Sequence, residues 1–148
     1  MKVEHILLTT DLSEESVRAF EPAAELARGT GARITLLHVV QLPTPTEQGG
    51  RLAAPFVEID PREREAATFR RLETQRARLG SAIEAVITVI EAPAIAEAIA
   101  DFAVGADADL IAMSTHGRGG VRRLLLGSVA EGVLRHATVP VLLFPPAK

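Results

Sequence analysis

The feature that most limits this chain is an alternation. Five short runs rich in Val, Ile and Leu are separated by segments of helical periodicity or by clusters of glycine and proline. The runs are His5 to Thr9, Ile34 to Val40, Ile83 to Ile90, Asp109 to Met113 and Val139 to Phe144. Nearly unbroken apolar runs of this length read as strands buried on both faces, which is the condition of a parallel sheet covered by crossover helices. Glu84 and Thr88 interrupt the third run, and Pro140 removes a ladder donor from the fifth, so those two belong at the sheet edges. With right-handed crossovers the predicted fold is α/β, a doubly wound five-stranded parallel sheet of order 3-2-1-4-5 with helices on both faces. A chain of 148 residues suits one domain, 1–148.

The connecting segments carry helix signals. Asp11 and Ser13 are N-cap candidates for a helix with the stripe Val17, Phe20, Ala24 and Ala27, closed by Gly29 and Gly31. Pro22 lies inside it and is expected to remove the bond to the Arg18 carbonyl and bend the rod. Arg62 to Leu79 reads as a peripheral helix with the narrow stripe Ala66, Phe69, Leu72 and Leu79. Pro93 suits the first turn of a helix burying Ile95, Ile99, Phe102 and Ala103, with Gly105 at its C-terminal end. Ser128 to His136 forms the last helix. Residues 41–60, with three prolines and a Gly-Gly pair, are expected to form a long flexible loop.

Composition closes several routes. The chain has no cysteine, so thiol nucleophiles, disulfides and cysteine-held zinc are excluded, and a reducing, cytoplasmic setting is expected. No apolar run approaches the ~18 residues of a membrane span, and acidic Glu4 comes too early for a secretory segment, so no membrane partner is expected. A net charge of −3, with neither Trp nor Tyr, argues against a nucleic-acid partner, because single-strand binders need cationic grooves and stacking rings.

The predicted strand order has one topological switch point, between strands one and four, and open α/β sheets bind ligands at the carboxyl ends flanking that point. Those ends are Thr9-Thr10-Asp11 and Ser114-Thr115-His116-Gly117. Gly117, Gly119 and Gly120 allow the backbone close approach to a ligand, so that N–H groups can converge on phosphate oxygens. Ser128 opens a helix whose N-terminus adds free N–H groups and a favourable dipole. Arg118, Arg122 and Arg123 supply counter-charge with no acidic residue between them. The motif is a phosphate cradle, though not a P-loop, since the only lysines are Lys2 and Lys148. Asp11 stands opposite, either as the cap of its helix or as a ligand contact that can also meet Mg²⁺ carried by a nucleotide. Ser128 has the capping-box spacing to Glu131, so it is either its own helix's cap or a phosphate ligand. His116 reads as a turn residue, His38 as a satisfied core histidine, and His5 and His136 carry no functional signal.

The pieces Thr10-Asp11-Leu12-Ser13, Leu37-His38-Val39-Val40, Asp109 to Met113, and Ser114 to Gly120 followed by Gly127-Ser128-Val129-Ala130 resemble the universal stress proteins. The match runs nearly end to end and fails mainly over residues 41–60. The ATP-binding branch of that family carries Gly, two residues, Gly, nine residues, then Gly-Ser or Gly-Thr. Gly117, the nine residues Arg118 to Leu126, and Gly127-Ser128 fit that motif, while Ser114 replaces its first glycine. The resemblance implies that Asp11 and the Val39 backbone meet adenosine, and that Gly117, Arg118, Gly119, Gly120, Gly127, Ser128 and Val129 surround ribose and phosphates. It implies ATP with Mg²⁺ as ligand, homodimerisation through the C-terminal edge strand, and a regulatory role in the stress response without catalysis. The alternatives are a nucleotide-free dimeric scaffold and a slow Mg²⁺-dependent ATPase. With so few aromatic residues, adenine is expected to rest on aliphatic surface around Val39 and Ile6.

Overall fold

A computed structural model describes residues 1–44, 60–116 and 126–145. In chain order these form β1 (His5–Thr9), α1 (Glu14–Val17), α2 (Phe20–Thr30), β2 (Arg33–Gln41), α3 (Pro61–Ala77), β3 (Ala85–Ala92), α4 (Ile95–Gly105), β4 (Leu110–Ser114), α5 (Ser128–His136) and β5 (Val141–Phe144). The sheet has five parallel strands in the order β3-β2-β1-β4-β5, as the burial pattern of the sequence requires.

Alternation along each strand divides the core into two layers. Ile6, Leu8, Ile34 and Leu36 face Phe20, Ala24 and Ala27 of α2 together with Leu72 of α3 and Leu79 just beyond it. Leu7, Leu37, Val39, Ile111 and Met113 face Ile99 and Ala103 of α4 and Ala130 and Val133 of α5. Each fully buried Leu or Ile contributes roughly 1.5–3 kcal/mol, so the central strands dominate the hydrophobic stabilisation. The edge strands are only half-buried, and Val86 on β3 is 50% exposed.

Several local details depart from expectation. The first helix is not one bent rod; it breaks at Arg18 and Ala19, between α1 and α2. Pro22 therefore falls in the first turn of α2, where its missing N–H has no helical acceptor to lose. Gly31, at φ 76°, closes α2 by donating its N–H to the Ala27 carbonyl at 2.8 Å, whereas Gly29 lies within the helix. Pro93 precedes the α4 cap, Ala94, and so stands outside the first turn. Gly105 is the last residue of α4, and the left-handed position falls on Asp107, at φ 52°. In α3 the buried positions are Leu72 and Gln75, while Ala66 is exposed and Phe69 is 39% exposed.

Asp109, expected within the fourth strand, instead precedes it and latches the N-terminal segment. Its Oδ2 accepts the backbone N–H groups of Glu4 at 2.8 Å and His5 at 2.9 Å. His5, which carried no signal in sequence, is buried. Its Nδ1–H donates to the Ala106 carbonyl at 3.1 Å, and its Nε2 pairs with the Thr35 hydroxyl at 2.8 Å. The two backbone N–H bonds, Glu4 first, hold the Asp109 carboxyl below its ordinary range. A carboxyl depressed in the folded state stabilises the fold above its unfolded titration range and loses that contribution as pH falls through the folded value. Asp109→Asn is therefore expected to lower the thermal midpoint at neutral pH. Its deficit relative to the wild type should shrink as acid protonates Asp109; a deficit that stays constant into strong acid would remove the latch.

Gly132 marks where α5 crosses α4: a Cβ there would stand 2.6 Å from the Cβ of Ala96. In an open helix Gly→Ala gains roughly 0.5–1 kcal/mol, but overpacking costs about 1–3 kcal/mol. Gly132→Ala should thus lower the urea midpoint, and adding Ala96→Gly should restore most of the loss. A Gly132→Ala protein more stable than wild type would contradict this packing.

Candidate functional site

The switch point is open. A cleft of about 760 Å³ lies at the carboxyl ends of β1, β2 and β4 and reaches the N-terminus of α5. Its lining is apolar at Val39, Ile99, Met113 and Val129 and polar at Thr10, Asp11 and His38. Helix α5 enters end-on, with Gly127 and Ser128 at the rim. A pocket of this volume with an apolar wall and a few convergent polar groups suits a nucleotide-sized ligand.

Asp11 is half-buried, and its Oδ1 accepts the Ser13 N–H at 2.9 Å as well as the Ser13 hydroxyl. The cap of α1 is Ser13, whose Oγ accepts the Ser16 N–H at 3.2 Å. Asp11 thus braces the cap rather than being it, and it lines the cleft. Thr10 also lines the cleft, but its hydroxyl points into an internal network. That oxygen donates to Gln75 Oε1 at 2.7 Å, pairs with Ser16 Oγ at 2.9 Å and accepts the Leu12 N–H at 3.0 Å. His38 Nδ1–H donates to the Thr10 carbonyl at 2.9 Å, which places a histidine of the β2 end in the cleft wall rather than in the closed core. Val39 lies in the wall as expected. Ile6 does not: it is fully buried in the layer under α2, because its side chain alternates to the face away from Val39.

On the β4 side, Ser114 ends the strand opposite Phe144 of β5, and its hydroxyl donates to the His116 carbonyl at 2.7 Å. His116 Nδ1 pairs with the Thr115 hydroxyl at 2.9 Å, and its buried Nε2 has no hydrogen-bond partner among the described residues. Gly127 is needed for a reason other than positive φ. It sits at φ −60°, ψ 151°, donates its N–H to the Thr115 carbonyl at 2.7 Å, and a Cβ on it would lie 2.9 Å from that oxygen. Gly127, not Ser128, is the cap of α5, so the capping-box reading fails; Ser128 is the exposed first helical residue and faces the cleft. The structure thus brings Thr10, Asp11, Val39, Ser114, Gly127, Ser128 and Val129 around one cavity. Gly117, Arg118, Gly119 and Gly120, with Arg122 and Arg123, lie outside the described residues.

The geometry suits anion capture at α5, where free N–H groups and the helix dipole meet the rim, with an apolar seat behind. Among the described residues no group of three His, Asp or Glu side chains gathers to hold a metal, so a cation entering here has Asp11 as its carboxylate and depends on ligand oxygens for the rest. Ile99 and Met113, read from the sequence only as core, also line the cleft, and Ser16 and Gln75, which had no assigned role, form the network behind Thr10. Their roles arise from long-range packing, and only the burial of a polar residue at a helical core spacing, Leu72-Gln75-Leu79, hinted at one of them.

Comparison with known proteins identifies the family and the fold. Residues 2–145 match the family model described as the universal stress protein family. A universal stress protein of Thermus aquaticus is 38% identical over 139 residues, spanning 93% of this chain and 96% of the relative. A universal stress protein solved in complex with cAMP shares the fold with a TM-score of 0.69 at 20% identity, covering 99% of this chain and 100% of the other. Another, from Archaeoglobus fulgidus in complex with dAMP, has a TM-score of 0.62 at 22% identity, covering 97% and 98%. With a switch-point cleft, a glycine-capped helix at its rim and a family match over nearly the whole length, the chain belongs to the universal stress protein family.

Proposed function

We propose that the chain binds an adenine nucleotide, with ATP the preferred form, and acts as a regulatory module of the cytoplasmic stress response. The observation that carries this reading is that apolar Val39, Ile99 and Met113 and the helix N-terminus at Gly127 and Ser128 line one and the same cleft. A purine needs the first and a phosphate the second. Two family members have been solved with cAMP and with dAMP, which supports the same class of ligand here. Asp11 and the Val39 backbone would hold the adenosine part, and Gly127, Ser128 and Val129 the phosphate end. Mg²⁺ arriving with the nucleotide would neutralise phosphate charge beside Asp11. Between Lys2 and Lys148 the sequence has no lysine to assist phosphoryl transfer, so turnover should stay below ~0.1 s⁻¹. Among the described residues no helix is long and apolar enough to cross a membrane.

Titration calorimetry with ATP and with AMP tests this, alongside native mass spectrometry of protein purified without added nucleotide. Binding heat and a co-purifying adenine nucleotide are expected. Gly127→Val should weaken ATP binding by tenfold or more, about 1.4 kcal/mol, because the added carbons displace α5 from the Thr115 carbonyl. The absence of heat and of thermal shift at millimolar ATP would favour the nucleotide-free scaffold.

The second element of the proposal is a homodimer through β5. This strand lies at the sheet edge, Leu142 on it is 36% exposed, and Leu134 on the adjoining α5 is 45% exposed. An apolar edge without a blocking charge is a pairing surface. Sedimentation at micromolar concentration should show a dimer, and Leu142→Lys should give a monomer; a wild-type monomer would refute the assignment.

A further inference from the structure

We propose that Arg71 and Gln75 of α3 are positioning residues for the ligand site: they hold the β1–α1 turn in the shape that presents Asp11. This rests on the adenine-nucleotide reading of the cleft. The turn is unusual in its backbone. Leu12 is left-handed at φ 70°, a region that a leucine adopts only where its surroundings hold it. Its side chain is buried, at 7% exposure, so it cannot swing out to relax.

Both peptide groups of Leu12 are gripped, and α3 is at the end of both grips. Its N–H donates to Thr10 Oγ1 at 3.0 Å, and that hydroxyl donates to Gln75 Oε1 at 2.7 Å. Its carbonyl accepts Arg71 Nη2 at 2.9 Å. Arg71 and Gln75 are four residues apart and so share one face of α3. Asp11 lies between the two gripped residues, and its carboxylate takes the Ser13 N–H at 2.9 Å. Gln75 is 6% exposed and stands where the spacing of Leu72 and Leu79 would call for an apolar side chain. A leucine there would pack; it would not hold Thr10. Arg71 is exposed and pairs with a backbone carbonyl, a use that helix packing does not require. The two residues converge on one strained turn. Release of the turn would move the Asp11 carboxylate without disturbing the sheet, whose central strands are buried independently of it.

The test uses Arg71→Met and Gln75→Met, singly and together, which keep side-chain bulk and remove the polar grips. In the ligand-free double variant the Leu12 and Ser13 amides should exchange with solvent about tenfold faster, while those of Leu7 and Leu36 in the central strands keep their wild-type protection. The ATP dissociation constant from calorimetry should rise about tenfold. Adding Leu12→Gly should bring it back to within about threefold, because glycine takes positive φ without help. A merely structural loss would not be repaired by removing a buried side chain. Unchanged exchange at Leu12 and Ser13 would overturn the clamp whatever nucleotide does. Faster exchange with unchanged ATP affinity, or no recovery with Leu12→Gly, would overturn the positioning role. Absence of ATP and AMP binding by the wild type would refute the nucleotide reading, leaving the exchange measurement to decide the clamp.

Discussion

β1 has no face toward solvent. All five of its residues are buried, β2 and β4 are bonded along its two edges, and helices cover it above and below. The chain that leaves it at Thr10 enters a region where an unpaired polar atom is costly, so the turn there must satisfy itself or be satisfied by neighbours. Thr10 meets this demand with its N–H on Leu37, its carbonyl on His38 and its hydroxyl on Gln75 and Ser16. The polar groups near the cleft are thus arranged first by the needs of a buried strand end. Asp11, one residue further on, is the first position of that exit to reach the cavity with a charge.

The opposite lip is built by close approach. β4 ends at Ser114, and the chain returns at Gly127, whose N–H bonds the Thr115 carbonyl so tightly that no side chain fits. This contact fixes where α5 begins and hence where its free N–H groups point. Gly132 then lets α5 lie against Ala96 of α4, which completes the apolar layer behind the cleft. Two glycines in one segment serve two different contacts, one with backbone and one with a helix. Neither has positive φ.

That distinction explains what was legible in the sequence. Strand order and the location of the cleft follow from burial on both faces and from the edge signals at Glu84 and Pro140, which are local properties of the chain. Pro22 announced a disturbance, but the helix restarts before it, between Val17 and Phe20, rather than bending at it. Gly127 was recognisable as necessary, while the cause, the Thr115 carbonyl twelve residues back in sequence, is a tertiary fact. Ser128 had the spacing of a cap, yet Gly127 takes that place because the bond to Thr115 sets the chain's direction one residue earlier. Ile6 and Val39 looked equivalent as aliphatic neighbours of the site, and only the pairing of Ile6 with Ile34 sends them to opposite faces. His5 gave no sign because its partners, Thr35 and Ala106, are distant in the chain.

Ser114 stands where the compared glycine motif begins, and its geometry shows how a side chain is accommodated there. A side chain at the end of β4 threatens to fill the space above the switch point. Here the hydroxyl turns onto the His116 carbonyl, closing a small ring along the chain's own backbone. The oxygen is thereby satisfied within its own loop, and Ser114 remains part of the cleft lining. The same bond restrains the peptide of His116, whose ring is held by the Thr115 hydroxyl, while the Thr115 carbonyl receives Gly127. A glycine at this position would offer more open space and less restraint. The serine reduces that freedom on the chain's way out of β4, and the cavity between Asp11 and Ser128 remains open beside it.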